Sequence, residues 1–270
     1  MEHHGGAKAF MSTVWALLNG VPLFFEEDLL MDVYKTYQPS ELLQDNPYPG
    51  RGIMVGKSKC GRFAMIAYFI MGRSENSRNR VFVEKENGEV IIYPFDASKV
   101  QNPSLIIYSP IKKCGNSVIV TNGNQTDTIE EFLKEGKSFE DALDTREFEP
   151  DGPAWTPRIS SILNFADADF TYKMSILKSG DLKGSQCFRY TYSYSPIAGL
   201  GHFIHTYNTD GDPIPTFTGE PRRIEVTCVM DTWTNEIWNS LNEANKVSLC
   251  TMKIDLETLE TETRIINKNN

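Results

Sequence analysis

Three arginines fall within nine residues of the segment Gly72-Arg73-Ser74-Glu75-Asn76-Ser77-Arg78-Asn79-Arg80, interleaved with hydroxyl and amide side chains. Such a run cannot pack into a core, yet apolar strand-like sequences flank it on both sides. The planar donor fork of arginine matches phosphate oxygens, so a loop of this kind at the mouth of a sheet suits a phosphate or nucleotide. The same composition also suits a solvated hairpin turn.

Two further polar concentrations follow. Val120-Thr121-Asn122-Gly123-Asn124-Gln125-Thr126-Asp127 lies between a buried strand and a helix start, where backbone amides attract anions and side-chain amides can read a base or carboxamide edge. A turn with an N-cap would use the same residues. Thr145 to Arg158 carries Pro150, Pro153 and Pro157, which stiffen it, and holds Glu147, Glu149 and Asp151 near Arg146 and Arg158. A carboxylate fixed beside a cleft can serve as a general base. A solvated connector would read the same way.

Other chemistries find less support. His202 and His205 sit three apart in a strand and point to opposite faces, so they form no metal pair. Cys60, Cys114, Cys187, Cys228 and Cys250 are an odd set at wide spacing without a CxxC, which disfavours both a disulfide framework and a zinc site. No strained nucleophile elbow occurs. The formal net charge of -9 argues against a nucleic-acid groove. Apolar residues 9–25 are interrupted by Asn19, Gly20 and Pro22, too short and broken to span a bilayer. Reduced thiols and no membrane segment are the expectations for a cytoplasmic protein.

The elements that must position these residues begin with helices expected over 11–19 and 26–37. The breaker-rich stretch Gln44 to Gly50 then reads as a linker, dividing a helical extension (1–47) from a main domain (48–270). Strands are expected at Gly52–Lys57, Phe63–Met71, Arg80–Glu84, Val90–Tyr93, Ser104–Ser109, Val118–Thr121, Arg158–Leu163, Tyr172–Lys178, Cys187–Tyr194, His202–Tyr207, Arg222–Val229, Val247–Ile254 and Thr261–Ile266. Asp127-Thr128-Ile129-Glu130 fits a capping box opening a helix, Ser138 opens a shorter one, and Thr232–Leu241 reads as a third. Several strands are apolar at every position, which requires cover on both faces. The pattern predicts an α+β fold of mostly antiparallel sheets, two packed face to face with helices outside.

Taken together, Tyr48-Pro49-Gly50-Arg51-Gly52, Gly72-Arg73-Ser74 with Asn79-Arg80, Asn102-Pro103-Ser104 through Tyr108, Thr121-Asn122-Gly123 with Thr126-Asp127, Glu149-Pro150-Asp151 with Thr156-Pro157-Arg158-Ile159, and His205-Thr206-Tyr207 occur in the order found in the IMP cyclohydrolase family, which this sequence resembles over about residues 48–220. The resemblance implies a four-layer αββα sandwich of the N-terminal-nucleophile-hydrolase type. It also implies closure of 5-formamidoimidazole-4-carboxamide ribonucleotide to inosine monophosphate with loss of water. The chain departs from short archaeal members in the stretch before Arg51 and in a longer Glu75–Arg80 loop.

That reaction needs donors for a developing oxyanion and a base for the carboxamide proton. Arg80 and Tyr108 are the candidates for the first task and Glu149 for the second. Arg51, Arg73, Ser74, Asn79, Asn122, Asp127, Thr156 and Arg158 are left for phosphate, ribose and carboxamide. No metal or cofactor is expected; the partner is a small nucleotide, and a homo-oligomer is left open. Two alternatives stand beside this reading. One is a non-catalytic purine-nucleotide-binding protein. The other is an amidohydrolase of the same fold, which would need Cys, Ser or Thr where this chain has Tyr48-Pro49-Gly50-Arg51.

Overall fold

The structure, a computed structural model, describes residues 34–100 and 107–269. In chain order the elements are α1 (Pro39–Leu43), β1 (Arg51–Lys57), β2 (Phe63–Met71), α2 (Glu75–Arg78), β3 (Val81–Glu84), β4 (Val90–Tyr93), β5 (Ile111–Cys114) and β6 (Ser117–Thr121). Then come α3 (Gln125–Lys134), α4 (Phe139–Asp144), β7 (Arg158–Ala166), β8 (Asp169–Ser179), β9 (Cys187–Tyr194), β10 (Leu200–His205), β11 (Arg222–Glu225), α5 (Met230–Ser240), β12 (Lys246–Asp255) and β13 (Thr261–Asn267).

Strand β2 shows why the sheets stack. Its even positions Ala64, Ile66, Tyr68 and Ile70 enter an interior shared by two sheets, while Met65, Ala67, Phe69 and Met71 pack on the other side among Met230, Trp233 and Ile237 of α5 and Leu43 of α1. One sheet runs β11-β10-β1-β2-β12-β13 and the other β3-β4-β5-β6-β7-β8-β9, every pair of neighbouring strands being antiparallel. On the far side of the second sheet, Ile119 and Ile162 meet Ile129 of α3 and Phe139, Ala142 and Leu143 of α4. The result is the expected αββα layering. Each fully buried Leu, Ile, Phe or Met contributes about 1.5–3 kcal/mol, so the inter-sheet layer is the main store of stability.

Several expectations are corrected at the level of single elements. Ser104–Ser109 is no strand where it is described: residues 107–109 are irregular, and the Tyr108 carbonyl accepts from Ile92 N–H at 3.0 Å. The strand that follows is β5, whose two lysines hid it from an apolar pattern. The α3 helix begins at Gln125 with Asn124 as its N-cap, so Asp127 lies within the first turn and opens no capping box. The Arg-rich loop contains the short α2. The helix expected over 11–19 and most of that over 26–37 lie outside the described residues. Tyr37 forms a parallel bridge with Ile224.

Candidate active site

The turn Tyr48-Pro49-Gly50 delivers Arg51 to the start of β1, and it is stitched to the chain after β10. Arg51 N–H donates to Thr206 Oγ1 at 3.1 Å, Thr206 N–H to Arg51 O at 3.0 Å and Tyr207 N–H to Pro49 O at 3.2 Å. Gly50 has φ +79, and a Cβ there would meet Thr206 Oγ1 at 2.2 Å and the Tyr207 ring at 2.5 Å. Only glycine permits this crossing. Arg51 shares the parity of Ile53 and Val55, so its side chain enters the space between the sheets. Burial pulls its pKa down, but the electrostatic neighbours Tyr48, Tyr207, Glu149 and Tyr108 outweigh that and raise it, so Arg51 is a fixed cation.

Arg80 enters the same space from the residue before β3. It is 7% exposed, and its buried Nε has no partner among the described residues. Burial and the facing charge of Arg51 hold its pKa below the guanidinium range, while Tyr108, Glu149 and Tyr68 offset part of that. Tyr108 and Tyr68 are both buried and share a hydrogen bond of 3.0 Å between their hydroxyls. Burial raises the Tyr108 phenol against the pull of Arg80 and Arg51, so it stays protonated and can donate.

Glu149 comes from the proline-rich loop between α4 and β7. Its N–H donates to Thr156 O at 2.9 Å, and Thr156 N–H donates to Asp151 Oδ1 at 2.7 Å, so the loop folds back on itself. Thr156 Oγ1 reaches the Tyr207 hydroxyl at 2.6 Å, tying that loop to the Arg51 turn. Burial raises the pKa of Glu149, while Arg51, Arg158 and Arg80 lower it and Asp151 raises it; the outcome is a carboxyl above its usual range. Arg158, at the start of β7, donates Nη1 to Gln125 Oε1 at 2.8 Å. A Cβ on Gly123 would meet that Nη1 at 2.3 Å, so glycine makes room for the guanidinium.

Arg51, Arg80, Arg158, Tyr108 and Glu149 thus influence one another electrostatically, Arg80, Arg158 and Tyr108 being buried and Arg51 and Glu149 half-buried, with Thr156 at the edge. Three guanidinium groups face two carboxyls, one of them with a raised pKa, which leaves an excess of positive charge and donors without acceptors. An unpaired buried charge is costly, and an anionic ligand with oxygen acceptors would complete it.

The remaining sequence candidates are placed differently. Arg73 lies at the rim, donating to Asp210 Oδ1 at 2.6 Å and to Gly211 O at 2.9 Å, with its guanidinium 5.3 Å from the Tyr48 ring centroid. Tyr48 in turn stacks on Tyr207. Ser74 caps α2 through Ser77. Asn79 exchanges two hydrogen bonds with the Asp96 backbone at 2.7 and 2.8 Å. Asn122 donates to Pro157 O and accepts from Gln125 Nε2 and Ile159 N–H, holding the Arg158 strand start in place. Asp127 is exposed on α3, paired with Lys112 at 3.3 Å. The cluster also draws in Tyr207, Asp151 and Gln125, to which the sequence assigned no specific role, and Tyr68, which it did not single out. Tyr48 and Tyr207 stand inside quoted motifs; Tyr68 is the one hydroxyl in an all-apolar strand, a signal that reads equally as core.

The two histidines do diverge. His202 accepts or donates at Nδ1 to the Tyr172 hydroxyl at 2.6 Å and stacks on Tyr194, whereas His205 packs on Phe203 and Phe217. Burial lowers both pKa values to about 4. An unfolded chain binds protons on these imidazoles near pH 6.5 and the folded one only near 4, so unfolding takes up protons between those values. Stability is therefore complete above about pH 6.5 and falls toward pH 4, by up to about 3 kcal/mol for each histidine. Urea midpoints at pH 7.5 and 5.5 should show this slope, and the double variant His202→Gln/His205→Gln should flatten it; equal slopes in the two proteins would mean that the imidazoles titrate normally.

Among the described residues, no group of three or more His, Cys, Asp or Glu side chains comes together, and no helix is long and apolar enough to cross a membrane. Set beside known proteins, residues 48–258 match the family described as IMP cyclohydrolase-like protein. A protein named IMP cyclohydrolase from Methanococcus aeolicus is 34% identical over 145 residues, covering 49% of this chain and 70% of that protein. Those of the same name from Methanocaldococcus jannaschii and Methanosphaera stadtmanae are 34% and 36% identical over 119 and 124 residues. These alignments cover 43% of this chain, and 57% and 58% of the two relatives.

Proposed function

The chain belongs to the IMP cyclohydrolase-like family, and from that premise we propose that it closes 5-formamidoimidazole-4-carboxamide ribonucleotide to inosine monophosphate. The observation that carries this reading is the buried Arg80 Nε without a partner, beside a raised-pKa carboxyl and a phenol donor. In the reaction, the carboxamide nitrogen attacks the formyl carbon and forms the new C–N bond. Glu149 takes the nitrogen's proton, a task that suits a carboxyl with a pKa above the usual range. Arg80 and the Tyr108 hydroxyl hold the oxygen as it gains charge. That oxygen is protonated, the remaining nitrogen proton is removed, and water leaves as the C=N bond forms.

Arg51, Arg158 and Thr156 are proposed to contact the nucleotide directly, and Arg73 to meet it at the rim when Asp210 yields. Asn79, Asn122 and Ser74 serve by holding the loops that carry the arginines. Asp127 is set apart from this group by its position on the exposed face of α3.

Turnover of the formylated ribonucleotide, followed by product absorbance, tests the proposal. A cluster this rich in guanidinium repels divalent cations, so the rate should be unchanged after EDTA treatment. Loss of activity restored by zinc or magnesium would remove the metal-free mechanism. Tight nucleotide binding without turnover would instead assign the chain to non-catalytic binding.

A further inference from the structure

Cys60 and Cys228 are 168 residues apart in sequence yet meet at the surface. Cys60 lies in the turn between β1 and β2, and Cys228 in the segment between β11 and α5. The two segments are joined by Lys59 N–H donating to Val226 O at 3.0 Å, and Cys60 N–H donates to Cys228 Sγ at 2.7 Å. Ser58 Oγ lies 3.3 Å from Cys60 Sγ. Cys60 is exposed and Cys228 half-buried. The lining of a surface depression beside them includes Lys59, Val226 and Thr227, which gives a small molecule access.

We propose that Cys60 and Cys228 form a thiol-modification site for low-molecular-weight disulfides, with Cys60 as the attacking thiol and Cys228 as the resolving one. The division of roles follows from their surroundings. Burial, the largest single influence, pushes Cys60 up, but hydrogen bonds from the Cys228 thiol, the Ser58 hydroxyl and the N–H groups of Arg62 and Cys60 together outweigh it, so the thiolate forms below the usual range. Cys228 is held above that range by burial and by facing Cys60. The other three cysteines have no thiol partner, and burial raises Cys250 far out of the reactive range.

With glutathione disulfide as oxidant, the Cys60 thiolate attacks one of its sulfurs, forming a mixed disulfide and releasing one glutathione thiolate, which takes up a proton. Cys228 loses its proton and attacks Cys60 Sγ, releasing the second glutathione. The protein's dithiol is oxidised by two electrons, the Cys60–Cys228 bond forms, and one glutathione disulfide becomes two thiols. Arg51 and Lys57 stand at opposite ends of β1, so the new bond closes about 20 Å from the arginine cluster. It would clamp the β1–β2 turn to the approach of α5.

The test treats the full chain with glutathione disulfide, quenches free thiols with an alkylating agent and maps the peptides. The expected result is a loss of two of the five thiols, one cross-linked peptide pair containing Cys60 and Cys228, and a raised melting temperature reversed by dithiothreitol. Cys228→Ser should trap a persistent glutathione adduct on Cys60, and Cys60→Ser should leave Cys228 at least tenfold slower to react. Equal rates at all five cysteines, or a Cys228→Ser protein that accumulates no adduct on Cys60, would overturn the proposal.

Discussion

Glu149→Gln and Tyr108→Phe should each lower kcat by about 10²–10³-fold while leaving the substrate KM within a few fold, because both replacements keep the shape and remove one proton-handling group. The two losses should differ in their pH dependence. Burial raises Glu149 above the ordinary carboxylate range, so the acid limb of the kcat profile should lie above pH 4.5. As pH falls through that limb the base is protonated and the rate drops; the Gln variant should lack the limb, and the Phe variant should retain it. Stability separates the pair again. Tyr108→Phe orphans the fully buried Tyr68 hydroxyl, at a cost of about 1–3 kcal/mol, whereas Glu149→Gln replaces a half-buried acid and should be nearly neutral. Turnover near that of the unaltered protein in both variants would remove these residues from the chemistry.

The second large effect belongs to Arg80, where activity and stability should move in opposite directions. Its charge is buried, its Nε is unpartnered and Arg51 faces it, so the folded protein carries an uncompensated cost at this position. Arg80→Met keeps the length of the side chain and removes that cost. The variant should unfold about 1–3 kcal/mol less readily, a rise of several degrees in melting temperature, and lose turnover by at least about 100-fold. Glu149 would also lose a neighbouring cation, so the residual activity should show its acid limb at still higher pH. A variant that loses stability together with activity would show that Arg80 holds the fold, and the oxyanion assignment would then fail.

Much of the layering was readable from β2, whose nine consecutive buried or nearly buried residues cannot belong to a sheet with a wet face. The divergence of His202 and His205 followed from strand parity alone. The misses have local causes. Ile111-Lys112-Lys113-Cys114 looks too polar for a central strand, but Lys112 is absorbed by Glu130 at 2.6 Å and Asp127 at 3.3 Å on the helix above it. Asp127 resembled a cap because acidic residues favour first turns as well as N-caps, and the true start, at buried Gln125, carries no such signature. Motif order pointed to Arg51, Arg80, Tyr108, Glu149 and Arg158, which the fold places together. It could not separate residues of the arginine cluster from those bracing it, as Asn79 and Asn122 show, because an amide bound to backbone and an amide free for a ligand are identical in sequence. Tyr68 was hidden for the opposite reason, its hydroxyl being masked by apolar neighbours.

The stitching of Pro49–Arg51 to Thr206–Tyr207 makes the arginine cluster a product of the finished topology. Its guanidinium groups arrive from the start of β1, the start of β3 and the start of β7, and the strap that aligns the first of them spans more than 150 residues. A chain organised this way has high contact order, so the arginine cluster is assembled among the last events of folding. By linkage, a nucleotide held there draws on the whole cooperative unit: occupancy at 100 times its dissociation constant would add about 2.7 kcal/mol to global unfolding rather than quieting a single loop.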